Sequence, residues 1–176
     1  MHSQEDLLSK LLGNRRLLFI IGGVIIAMII LSVVLTSGKT DIQKEVARLA
    51  SQTAAVSDFA EGAQETLNDS SLLSNNATTI ATLTGISVSL NELADNQKPN
   101  EDATKLQTTH IAELATSLDN AKVINNYNTE YKRIITSELT SLASDMRAVG
   151  TQANATVRAN LEAAAEKIDL VSQLKN

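Results

Sequence analysis

The chain has 176 residues, no cysteine, 2% aromatic residues and a formal net charge of −5. Lack of cysteine excludes disulfides, thiolate metal sites and cysteine nucleophiles, and the acidic balance argues against a nucleic-acid partner, which needs a basic face. The scarcity of aromatic side chains removes the platforms on which carbohydrate and peptide sites usually rest.

Residues 1–16 form a short arm carrying Lys10, Arg15 and Arg16. Leu17 to Leu35 then reads LLFIIGGVIIAMIILSVVL, without charge or proline. A helix of that length crosses about 30 Å of hydrocarbon, so the sequence predicts a single transmembrane anchor over residues 17–36, in contact with the lipid bilayer. A cleaved signal peptide would have a shorter apolar run and a small-x-small site, whereas Thr36-Ser37-Gly38-Lys39 follows here. A lipoprotein needs a cysteine and a type IV pilin a glutamate inside the run, and neither is present. The arginine pair abuts the span, while Lys39, Lys44 and Arg48 beyond it are mixed with Asp41 and Glu45. That asymmetry predicts the N-terminus inside and residues 39–176 outside the cytoplasmic membrane. The short arm and absent disulfides fit a bacterial envelope. Gly23 and Ala27 make a small-x-x-x-small pair, which serves helix dimerisation or is ordinary membrane-helix composition.

Residues 39–176 read as one extracytoplasmic domain. Thr40-Asp41-Ile42-Gln43 fits a capping box. Ile42, Val46, Leu49, Thr53, Val56, Ala60, Ala63 and Leu67 recur at alternating spacings of four and three, a heptad seam. Its richness in Ala and Thr favours packing within the chain's own bundle over a separate coiled coil. Asn68-Asp69-Ser70 caps a second helix whose stripe is Leu73, Ile80, Leu83, Leu90 and Ala94, with Ile86 and Leu93 beside it. Asn76 falls within that stripe, as a buried register-setting amide or a residue near a bundle end. Asp95 to Asp102 holds Pro99, the only proline, and reads as a loop. Asn100 caps a third helix with Leu106, Ile111, Leu114, Leu118 and Ala121 on its apolar face. Asn125-Asn126-Tyr127-Asn128 marks a break, because asparagine competes for the backbone. Tyr131, Ile135, Leu139, Leu142, Met146 and Val149 mark a fourth helix, and Leu161, Ala164, Ile168 and Val171 a last segment. Gly150-Thr151 is a candidate joint, so these two are one rod or two. The fold class is all-α: one N-terminal transmembrane helix, then an antiparallel bundle of four or five helices.

Asn120-Ala121-Lys122 through Asn126, followed by Tyr131 and Leu139, sits in a helix, short break, helix arrangement. This resembles membrane-anchored ferritin-like bundles of unassigned function, over the final two thirds of the soluble part. The resemblance implies an antiparallel bundle of four main helices. Metal-binding members of that family would need Glu-x-x-His pairs, and with only His2 and His110 the chain has none. Ferritin-like metal chemistry is therefore not carried over, and no cofactor is expected.

His110 and Glu113 lie one turn apart, so with Asp119 or Glu138 they are the only metal candidates, against a plain surface pair. Any serine or threonine nucleophile would depend on His110 as base, and no Gly-x-Ser-x-Gly turn accompanies one. Glu162 and Glu166 are four apart on one helix and read as a solvated stripe. No phosphate loop is present, so an enzyme is not expected. Asn68, Asn76 and Asn154 open glycosylation triplets that arise easily in so Asn- and Thr-rich a chain. Tyr127 and Tyr131 either edge a binding pocket or seal a bundle end. The expected function is a structural or protein-interaction module at the cell envelope, through a protein partner or self-association. The alternative is a ligand-sensing or solute-binding bundle, similar in outline to chemoreceptor input domains, signalling through a separate partner because no second span follows. A metal-storage bundle is a third reading, on fold alone.

Overall fold

The computed structural model describes residues 42–95 and 98–173. The arm and its charges Lys10, Arg15 and Arg16, the span from Leu17 through Gly23 and Ala27 to Leu35, and the first half of the capping box lie outside the described residues. Among the described residues there are five helices and no strand, and no helix is long and apolar enough to cross a membrane. They are α1 (Ile42–Ala63), α2 (Ser70–Leu93), α3 (Glu101–Val123), α4 (Tyr127–Gln152) and α5 (Ala155–Gln173).

The helices stop where the sequence supplies local alternatives to the ladder. Asp69 caps α2 by accepting the Leu72 N–H at 2.8 Å, and Asn100 caps α3 by accepting the Asp102 N–H at 2.9 Å. Asn125 ends α3 with a left-handed φ of 53°. The Asn126 N–H then reaches the Ala121 carbonyl at 2.9 Å and the Asn125 N–H reaches Lys122 at 3.2 Å, a Schellman closure. Asp95 plays the left-handed role after α2, with φ 54°. The α4–α5 question resolves as two helices. The break is not at Gly150-Thr151, which remain helical, but at Ala153, whose ψ of 161° is extended. Asn154 Oδ1 accepts the Val157 N–H at 3.0 Å to open α5, and Arg158 Nε donates to the Gly150 carbonyl at 3.0 Å to close α4. Gly150 is therefore a packing position against α5, with Leu161 Cβ 3.8 Å from where its own Cβ would stand.

α1 packs on α2 and α4, and α5 packs on α2 and α4, so α1, α2, α5 and α4 close a four-helix ring. Cross-helix pairs give the directions. Asn76 meets Ala60 and Ser87 meets Ala50 between α2 and α1, while Phe59 meets Tyr131 and Arg48 meets Asp145 between α1 and α4. In each set the residue number rises on one helix as it falls on the other, so neighbours run antiparallel. The core of this ring is Leu49, Leu83, Leu90, Ile135, Leu139, Leu142, Met146, Leu161 and Ile168, all fully buried. The heptad seam of α1 is buried from Val46 to Leu67, with Ile42 packed at its margin. Small residues on that seam let α2 approach closely, and three side chains of this pair bond across to main chain: Asn76 to Ala60 O at 2.9 Å, Ser87 to Ala50 O at 3.1 Å and Ser57 to Ile80 O at 3.5 Å.

α3 departs from the expected core helix. It carries the chain from one end of the ring to the other and lies outside the groove between α1 and α4. Only Leu118 and Ala121 are buried; Ile111 and Leu114 are partly covered, and Leu106 is 63% exposed. The 3.6-residue stripe was real, but four other helices already fill the core at the level of Leu106. Counting from the Gly150–Leu161 contact, Gln173 stands twelve residues along α5 and Glu138 twelve along α4, so the described α5 ends near the level of Glu138. Ser117 bonds Glu130 beyond that level, so the apolar residues of α3 are buried beyond the described part of α5.

Candidate functional site: the polar seam between α1, α3 and α4

Polar groups, rather than apolar ones, hold the first half of α3. Gln107 Nε2 donates to the Ser51 carbonyl of α1 at 2.8 Å. His110 Nε2 lies 3.1 Å from Glu138 Oε1 of α4. Ser117 Oγ donates to Glu130 Oε1 at 3.2 Å, and Arg133 braces the same carboxylate from one turn away.

His110 and Glu138 are both largely covered, with 26% and 13% of their side chains exposed. The hydrogen bond to Glu138 raises the His110 pKa above 6.5, and the charges of Glu138 and Glu113 act the same way against the opposing cost of burial. Two turns from Glu138 on the same side of α4 stands Asp145. Its Oδ2 is buried, accepts no hydrogen bond, and sits 3.8 Å from Arg48 Nη1 of α1. Burial raises the Asp145 pKa; Arg48 and a hydrogen bond from Gln52 pull it back, and Glu45 and Glu138 push it further up. Arg48 is shared, since its Nε donates to Glu45 at 2.9 Å and its Nη1 to Gln52 at 2.9 Å. Glu45 and Asp145 thus share the Arg48 guanidinium, and the charge of Glu138 adds to the acidic surround of Asp145.

Beside it, α1 and α3 enclose a shallow groove of about 200 Å³ lined by Ser51, Ala55, Asp58, Thr104, Gln107, Thr108 and Ile111. It is small for a drug-sized ligand.

The sequence grouped His110 and Glu113 with Asp119 or Glu138; the fold brings His110 to Glu138, while Glu113 is exposed and acts on His110 only through its charge. Asp119 is exposed. Among the described residues no three His, Asp or Glu side chains converge as metal ligands. Glu162 and Glu166 are exposed on α5.

Tyr127 and Tyr131 separate. Tyr131 is fully buried, stacks on Phe59 with centroids 6.2 Å apart, and donates its hydroxyl to Asn76 Oδ1, so it is a core residue. Burial pushes its pKa far up. Tyr127 is half-buried near Thr66 at the bundle end. Asn76 is the buried amide, which also removes its triplet from any surface role; Asn68 and Asn154 are exposed.

Gln52 and Asp145 carry no sequence expectation, and Arg48 enters the sequence reading only as a charge flanking the apolar run. The available signal was the i, i+7 spacing of Glu138 and Asp145 beside the apolar stripe of α4. A search for similar proteins found no matching family model, no matching curated protein and no matching solved structure.

Proposed function

We propose that the protein is a membrane-anchored interaction module of a bacterial cell envelope, a helical bundle held outside the cytoplasmic membrane by residues 17–36. The observation that carries this reading is the uncharged run from Leu17 to Leu35, placed just before the bundle opens at Ile42. The bundle works by presenting helical faces to a protein partner or to a second copy, and we read it as non-enzymatic. His110 is engaged with Glu138 rather than with a serine or threonine hydroxyl. The described bundle consists of two antiparallel hairpins, α1–α2 and α4–α5, joined by one end-to-end crossover, α3.

A second reading, a solute-binding bundle signalling through a separate partner, draws on the polar groove of Ser51, Asp58, Thr104 and Gln107.

Crosslinking the full-length protein in its own membrane tests the first reading. A defined partner or homo-oligomer supports it; monomer alone shifts the weight to solute binding. Ile26→Arg tests the anchor separately, because an arginine at the centre of a span costs about 3 kcal/mol of insertion. The variant is expected to leave the carbonate-resistant membrane fraction, and full retention there overturns the anchor.

A further inference from the structure

The two halves of α3 are held by different physics. Leu118 and Ala121 anchor its C-terminal half in the core, and the Schellman closure at Asn125 fixes its end. The N-terminal half, from Glu101 to His110, has no buried residue and keeps Leu106 in solvent. Among the described residues it hydrogen-bonds to the ring through the Gln107–Ser51 pair and the His110–Glu138 pair. A helix held by so few apolar contacts opens locally at low free energy.

Of those ties, only one changes with the medium. Glu45 and Asp145 lie against Arg48, Glu138 lies against His110, and the charge of Glu113 on α3 acts on the same histidine. Asp58 on α1 lines the adjoining groove, and Glu130 on α4 is already held by Arg133. A second cation arises in this acidic surround when His110 takes up a proton. The hydrogen bond to the Glu138 carboxylate then becomes an ion pair charged on both sides.

We propose that the first half of α3 is a proton-gated strap: protonated His110 clamps it to Glu138 across the α1–α4 face, and loss of that proton frees it. The strap is closed in mildly acidic medium and loosens as the medium turns alkaline. The raised pKa of His110 places the change above 6.5. The inference concerns the bundle alone and holds whether or not residues 17–36 span a membrane.

Amide hydrogen exchange on the full-length chain, from about pH 5.5 to about pH 8.5 and corrected for the intrinsic pH dependence of exchange, reads the gate directly. Peptides covering 101–110 are expected to lose protection several-fold across the range, as the His110–Glu138 ion pair is lost. Peptides from α4 should stay level. His110→Gln keeps a neutral hydrogen-bond donor and is expected to flatten the profile; Glu138→Gln should flatten it independently. A flat wild-type profile overturns the proposal. So does an unchanged slope in either variant.

Discussion

Tyr131 on α4 donates its hydroxyl hydrogen to Oδ1 of Asn76 on α2, and Nδ2 of the same asparagine donates to the Ala60 carbonyl on α1 at 2.9 Å. One buried amide thus ties three helices of the ring, and both polar residues are fully buried. A buried polar pair satisfied in this way fixes register, because any axial slip leaves its groups unpaired in a dry interior.

Tyr131→Phe removes the donor and leaves Asn76 Oδ1 buried and unpaired. We expect a loss of about 1–3 kcal/mol in urea unfolding. Asn76→Leu destabilises as well, and the double variant should lose clearly less than the sum, since each single change strands the other's partner. Strict additivity would show that the bond does not tie the helices.

Asp145 keeps a buried oxygen without a hydrogen bond. Asp145→Asn is expected to raise stability at neutral pH, by up to about 1 kcal/mol, by removing a desolvated charge while keeping the group that Gln52 meets. Because the folded pKa is raised, the ionised carboxylate disfavours the fold, so the advantage should shrink as the pH falls through that pKa. Arg48→Met strands the carboxylate and should cost about 1–3 kcal/mol. Denaturant midpoints at two pH values check all three statements.

The pH profile of global stability has two limbs of opposite origin. His110 has a raised folded pKa, so its contribution is complete below 6.5 and is lost as the pH rises through the folded value. Glu130 has a folded pKa held below 4.5, first by its hydrogen bond from Arg133, so its contribution is lost as the pH falls through that lower value. His110→Gln should flatten the alkaline limb and leave the acid limb in place, as followed by thermal unfolding across pH. Loss of both limbs together would show that the two groups act as one network.

Two leucines of α3 separate the helix into its halves. Leu118 is 4% exposed and Leu106 63%. Leu118→Ala should cost about 2–4 kcal/mol, whereas Leu106→Ala should stay within about 0.5 kcal/mol of wild type. Equal costs in thermal denaturation would place α3 in the core along its whole length.

The apolar spacing, the Asp69 and Asn100 caps and the asparagine break at 125–126 could be read directly as helices and their ends, because capping and amphipathic periodicity are local and each rests on residues within a few positions of one another. The run from Leu17 to Leu35 is local in the same sense. Which helices share the core is not local. Leu106, Ile111, Leu114 and Leu118 form a regular stripe, yet the fold buries only its far end, since the space near Leu106 is already filled by residues far away in the chain. The partner of His110 is 28 positions distant rather than three. The charge left on Asp145 depends on Arg48 and Gln52 of another helix. Pattern along the chain settles where a side chain points from its own helix; whether that direction meets core, solvent or an opposite charge is settled only when the other helices arrive.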